Sequence, residues 1–160
     1  MSKKASIKIR DIRPGDAETV FEQVSKLAKL QNLSHMLCIT PDFLLQELFK
    51  PGADWFGLVA VLDEHIIGHC LYSFTNINRA FNPTPALYID ILFVSEAYRK
   101  LGVARSLMKK AAKVALERKI DRIELWCGKT NNVAQSAYTS MHATKIDMID
   151  VLCFDVDKLL

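Results

Sequence analysis

Two periodicities alternate along the chain. Ser6 to Ile12 carries Ile7, Ile9 and Ile12 at near-alternate positions, a first strand that Pro14-Gly15 ends. Asp16 then stands where a helix cap belongs, ahead of a helical face made of Ala17, Val20, Phe21, Val24, Leu27 and Ala28. Thr40-Pro41 opens a second helix through Phe43, Leu44, Leu48 and Phe49, and Pro51-Gly52 stops it. Phe56 to Leu62 and Ile66 to Phe74 read as a hairpin turned at Asp63-Glu64-His65, followed by a loop from Asn76 to Pro85. Leu87 to Val94 is an apolar run broken only by Asp90, which reads as a buried strand. After it, Val103, Ala104, Leu107, Met108, Ala111, Val114 and Ala115 share one helical face, while Arg105, Lys109, Lys110 and Lys113 lie mostly away from it. Arg122 to Cys127 predicts a further strand and Asn131 or Asn132 opens a helix through Met141. Lys145 to Val156 is expected to supply the final strand or strands. The order β-α-α-β-β-β-α-β-α-β predicts an α/β fold, a mixed sheet with helices on its faces.

Composition narrows this little. A chain of 160 residues, half of them hydrophobic, implies one domain over residues 1–160 with a real core. The net charge of +3, without a long basic run, argues against a nucleic-acid partner. No apolar run approaches the roughly 20 residues that cross a bilayer, and MSKKASIKIR lacks the apolar core of a signal peptide. The scattered cysteines (Cys38, Cys70, Cys127, Cys153) form no ligand-spaced pair and read as small buried hydrophobes of a reducing, cytoplasmic compartment. His35, His65, His69 and His142 make no metal constellation, so no metal is expected.

The chemistry gathers between the central strand and the helix after it. YRKLGVA places Arg99, Lys100 and Gly102 at a helix start. There the unpartnered N–H groups and the helix dipole favour an anion. The turn lacks the G-K-[ST] of a triphosphate loop and the three glycines of a dinucleotide fingerprint. Asp90 is the other anomaly, because a carboxylate among apolar neighbours must be paired, reach water or do chemistry.

Arg99-x-x-Gly102-x-Ala104 after an apolar strand resembles the acyl-CoA pyrophosphate loop of the GNAT superfamily of N-acetyltransferases. A second segment, Asn131-Asn132-Val133-Ala134-Gln135-Ser136-Ala137-Tyr138, looks like that family's Asn-x-x-Ala-x-x-x-Tyr, and the element order matches nearly throughout. One departure is His142, which stands where the family has glycine after this helix.

The resemblance implies the GNAT acyl-CoA fold, with about six or seven strands and helices on both faces, acetyl-CoA as co-substrate and a homodimer. It also implies site roles. Leu92, Phe93 and Val94 would offer strand-edge groups to the pantetheine arm. The backbone amides of Leu101, Gly102, Val103, Ala104 and Arg105 would hold the pyrophosphate, helped by Arg99 and Lys100. Asn131, Ala134 and Tyr138 would complete the cofactor site. An alkyl ammonium has a pKa near ~10, so the amine needs a base, the role implied for Asp90. The departing thiolate needs an acid, the role implied for Tyr138. The alternatives are a core tyrosine and a solvent-facing aspartate.

Lys26-Leu27-Ala28-Lys29, Tyr72-Ser73-Phe74-Thr75 and Ala86 to Val94 bring the chain nearest to the diamine (spermidine/spermine) N-acetyltransferases. After Lys29, however, this chain reads Leu30-Gln31-Asn32 where those enzymes have aromatic and acidic residues. Its loop from Asn76 to Pro85 lacks their tryptophan, with Phe81 available as an apolar wall and Asp147 and Asp150 as replacement carboxylates. The expected acceptor is therefore a small primary amine or diamine. The other readings are a lysine or N-terminal amine of a peptide, and a non-catalytic acyl-CoA sensor.

Overall fold

Strands whose consecutive residues are all buried must be covered on both faces, and the hairpin at the centre of this chain is built that way. In the computed structural model, which describes residues 6–77 and 79–159, the elements run β1 (Lys8–Asp11), α1 (Ala17–Leu30), α2 (Pro41–Phe49), β2 (Trp55–Leu62) and β3 (His65–Thr75). They continue with β4 (Ala86–Val94), α3 (Val103–Glu117), β5 (Ile123–Leu125) and α4 (Asn132–Ser140). The five strands form one sheet in sequence order, antiparallel except for the parallel pair β4–β5 that α3 connects. The fold is thus the expected mixed α/β architecture with five strands rather than six or seven.

Alternate residues of β2 and β3 feed two cores. Leu58, Ala60, Cys70 and Tyr72 pack with Val103, Leu107, Ala111 and Ala115 under α3. Val59 and Leu71 pack with Val20, Val24, Leu44 and Leu48 under α1 and α2. Gly68 is dictated by close approach, since a Cβ there would stand 2.6 Å from the Phe93 carbonyl oxygen. The β2–β3 turn needs only Asp63 and Glu64. Both have positive φ (46° and 65°), the twist that two-residue hairpin turns require.

His69, fully buried, faces Gln23 of α1. Gln23 Nε2 donates to the Ile66 carbonyl (2.9 Å), so its Oε1 faces His69 Nδ1 at 2.8 Å and that nitrogen carries the proton. Burial pushes the imidazole down to about 3, which keeps it neutral. It is a core residue, bonded on one nitrogen.

Three expectations are corrected. Asp16 does not cap α1; it closes the short 3-10 turn Pro14–Asp16, accepting from the Arg13 N–H (2.7 Å) and pairing with both terminal nitrogens of Arg10 (2.6 and 3.0 Å). The strand predicted from Arg122 to Cys127 shrinks to Ile123–Leu125, because its partner stretch on β4 is only Leu87 to Ile89. Lys145 to Val156 forms no strand. None of the described strands pairs with it, and Met148 and Leu152 are 90% and 79% exposed.

The chain divides into two compact units, Met1–Trp126 and Cys127–Leu160. In the second, Asn131 caps α4 by accepting from the Ala134 N–H (3.1 Å). Gln135 Nε2 ties the preceding loop to the helix through the carbonyls of Gly128 and Lys129 (2.9 Å each). His142 takes the left-handed position after the helix (φ 68°), and the Ala143 N–H closes the end on the Tyr138 carbonyl (3.0 Å). A histidine thus adopts the conformation usually left to glycine, at a cost of about 1 kcal/mol.

Burial by itself would raise the Asp16 carboxyl, but its bonds from Arg10 and the Arg13 N–H outweigh that and hold it below the usual carboxylate range. A depressed native pKa contributes stability above the unfolded value and loses it as pH falls through the native one. Asp16→Asn should therefore cost about 1–3 kcal/mol at neutral pH in urea unfolding, with the difference from wild type vanishing as the medium is acidified below that range.

Candidate active site

The site follows from one extra residue. Across the β3–β4 ladder Leu71 pairs with Ile91 and Tyr72 with Ile89, so Asp90 is a bulge with no opposite number. The bulge reverses which face each residue takes. Ile89 packs under α3, Ile91 joins the α1–α2 core, and Leu92 and Val94 return to the α3 side. Asp90 emerges on the α1–α2 face beside Trp55 and Ser73, which lie opposite each other on β2 and β3.

Its Oδ2 accepts from Trp55 Nε1 (3.1 Å) and Ser73 Oγ (3.2 Å). Trp55 is an aromatic residue that sequence reasoning missed by starting β2 at Phe56. Its ring meets Phe43 of α2 edge-on at 6.4 Å, and on the same face Tyr88 meets Trp126 edge-on at 5.9 Å. Partial burial pushes the Asp90 carboxyl up, while the bonds from Ser73 and Trp55 pull the other way without cancelling it. Its charge is felt by Cys70, pushed up to about 12 mainly by burial, and by Tyr88, raised by burial first and Asp90 second.

The bulge also ends the β4–β5 pairing at Ile89–Leu125. The Ser95 N–H donates to the Ile67 carbonyl (2.9 Å), so Gly68–Val94 and Cys70–Leu92 are the non-bonded pairs of this ladder. The N–H and C=O groups of Leu92 and Val94 therefore point away from β3, along a stretch that β5 does not pair. Phe93 turns inward and stacks on His69 (5.8 Å).

Beyond the strand, Gly102 is the N-cap of α3 in the left-handed region (φ 78°), and nothing lies within 4 Å of where a Cβ would be. Val103, Ala104 and Arg105 form the first turn, whose N–H groups precede the first helical bond from Ser106 to Gly102 (2.9 Å). Leu101 is exposed, and Lys100 also has positive φ (63°). Arg99 folds back, its Nε donating to the Val94 carbonyl (3.2 Å), which ties the turn to the strand edge. An open glycine cap whose first-turn amides precede the helical ladder, next to a strand edge that β5 does not pair, suits a ligand carrying both a pyrophosphate and amides.

Asn131, Ala134 and Tyr138 lie on α4 and its cap in the second unit. Asp147 is paired with Lys145 (2.6 Å), both exposed. Phe81 is 82% exposed. Among the described residues no helix is long and apolar enough to cross a membrane, and no group of three histidine, cysteine or acidic side chains could hold a metal.

Residues 24–143 match the family model described as Acetyltransferase (GNAT) family. The chain is 25% identical over 147 residues to a mouse (Mus musculus) thialysine N-epsilon-acetyltransferase, covering 87% of this chain and 85% of that protein. It is 22% identical over 142 residues to a human (Homo sapiens) spermidine/spermine N(1)-acetyltransferase-like protein 1, covering 84% of this chain and 20% of that protein. Among solved structures, an aminoglycoside N-acetyltransferase in complex with CoA superposes with a TM-score of 0.79 at 14% identity, covering 96% of this chain and 98% of that one.

A β-branched side chain at Gly102 would be strained at φ 78° and would stand over the open cap. Gly102→Val should raise the dissociation constant for CoA about tenfold by calorimetry, and Arg99→Ala by less, since Arg99 bonds the strand.

Proposed function

The chain belongs to the acetyltransferase (GNAT) family, and from that premise we propose that its acceptor is a small primary amine or diamine, held and deprotonated by Asp90. The enzyme is an N-acetyltransferase, and acetyl-CoA supplies the acetyl group as a thioester. The overall reaction turns an ammonium and a thioester into an amide, a thiol and one proton. The observation that carries the proposal is the bulge at Asp90, which sets a carboxylate beside the unpaired edge of β4.

In this reading the ammonium docks on Asp90 and gives it one proton, freeing the nitrogen lone pair. A backbone N–H of Leu92 or Val94 polarises the thioester carbonyl. Tyr138 gives its phenolic proton to the departing sulfur and recovers one from the acetylated nitrogen, a role assigned on its spacing from Asn131. Asp90 then releases its proton to solvent. The raised carboxyl helps here, because a base whose pKa climbs toward neutrality takes a proton from an ammonium more readily than an ordinary aspartate.

The acceptor class rests on charge and wall. Among the described residues Asp90 has no ion-pair partner, and Asp16, another carboxylate of the first unit, is committed to Arg10. Trp55, Phe43 and Tyr88 give the Asp90 face an aromatic lining suited to an alkylammonium stem. One carboxylate among aromatic rings fits a singly charged reacting end better than a long polycation. The two relatives named for thialysine and for spermidine/spermine support an amine on a flexible chain. The family match spans both compact units, which supports one catalytic domain, and the free thiols of all four cysteines support a cytoplasmic location. The homodimer is proposed on family resemblance.

A panel of amines with acetyl-CoA, followed by free thiol, should give the highest kcat/KM for a short amine or diamine; tight, selective use of spermine, or of a peptide amine, would refute the acceptor class. Tyr138→Phe should lower kcat about 10²-fold or more with little change in thermal stability. Asp90→Asn should lower turnover and flatten the acid limb of the pH–rate profile. Normal activity with an unchanged profile would remove Asp90 from the mechanism.

A further inference from the structure

We propose that Trp55 and Ser73 are positioning residues that clamp Oδ2 of Asp90, leaving Oδ1 as the atom that takes the acceptor's proton. The inference rests on the reading of Asp90 as the base and goes beyond it to the device that aims the base.

The geometry is asymmetric. The indole N–H and the hydroxyl both donate to the same carboxylate oxygen, at 3.1 and 3.2 Å, from adjacent strands whose partner positions are fixed by the ladder. The other bond to the carboxyl is local, from the backbone N–H of Asp90 itself. A carboxylate at a bulge would otherwise be free to rotate about its terminal torsion. Two donors on one oxygen stop that rotation and point the other oxygen to solvent. The donors come from the rigid centre of the sheet rather than from loops, so the aim survives movement of the surface. Trp55 is itself held, edge-on against Phe43 of α2.

The clamp also tunes the base. Both donors favour the ionised form, so they oppose the burial that raises the carboxyl. The other groups around Asp90 cannot do this. Cys70 of β3 and Tyr88 of β4 stay protonated at neutral pH. Trp126 beside Tyr88 carries no titrating group. The charged residues of α1 (Glu18, Glu22, Lys26, Lys29) are exposed. On α2, Asp42 is exposed and Glu47 is paired with Lys50; none of these forms an ion pair with Asp90. Weakening the clamp should therefore raise the carboxyl further, and a base that must be ionised loses activity first at low pH.

Trp55→Phe keeps the ring against Phe43 and deletes only the donor; Ser73→Ala deletes the other. The expected result is an acid limb of kcat/KM displaced to higher pH in each variant. Activity there should fall about tenfold, and by more than on the plateau, with thermal melting little changed. The double variant should move the limb further than either alone. An acid limb that stays in place in both single variants overturns the clamp, as does a loss of kcat/KM that is the same at every pH, which would make Trp55 a wall for the substrate only. The underlying reading fails differently. Asp90→Asn with normal activity and profile removes the base itself, whereas an inactive Asp90→Asn beside unshifted Trp55→Phe and Ser73→Ala profiles leaves the base and refutes only the clamp.

Discussion

A single unpaired residue in a ladder governs what this protein can do. A regular β4 would continue the alternation of Leu87 and Ile89 and send its side chains to the faces set at its start. The extra residue leaves Asp90 on the face of Tyr88, next to Trp55 and Ser73, and reverses the alternation after it, so that Ile91 joins the α1–α2 core and Leu92 returns to α3. The pairing with β5 ends at Ile89, next to the bulge, and leaves the outward groups of Leu92 and the Val94 N–H without a β5 partner, while the Val94 carbonyl accepts from Arg99. The outward strand edge and the carboxylate thus lie side by side on β4. Gly68 is part of the arrangement, because β3 and β4 approach so closely past the bulge that any side chain there would meet the Phe93 carbonyl.

Much of this was legible from residue pattern. The hairpin, the helices of the first unit and the strand–turn–helix around Gly102 follow from periodicity and from Pro, Gly and Thr at element ends. The bulge was not legible, since one polar residue in an apolar run reads the same whether the ladder pairs it or skips it. Trp55 was missed for a related reason: it stands at the strand's first position, where period-two reasoning loses its grip. Lys145 to Val156 misled in the opposite direction. Its hydrophobicity suggested a strand, but a strand exists only through a partner, and none of the described strands pairs with it. Arg99 reads as a phosphate ligand from its place ahead of Gly102 at a helix start; that its Nε also bonds the Val94 carbonyl of the preceding strand was not legible in the sequence.

Two carboxylates of the first unit show how environment separates structure from chemistry. Asp16 meets a guanidinium in two places and a backbone N–H, and these hold it below the usual range despite its burial. Asp90 meets only neutral donors, two of them on one oxygen, and burial prevails. The first is locked in its ionised form over the whole physiological range and can take no proton. The second has its carboxyl raised above the ordinary value, the direction that the proposed base role requires.

That contrast bears on why the Asp90 clamp uses an indole and a hydroxyl rather than a lysine or arginine. A cation at hydrogen-bond distance would fix the carboxylate equally well, but it would lower its basicity and repel the incoming ammonium. Neutral donors orient without adding charge, so the acceptor remains the cation that neutralises the site. The weak point of a neutral clamp is that burial goes partly uncompensated, and the site uses that residue of burial as basicity. A site built this way trades strength of anchoring for the ability to exchange a proton, the property that a base working on an alkylammonium needs.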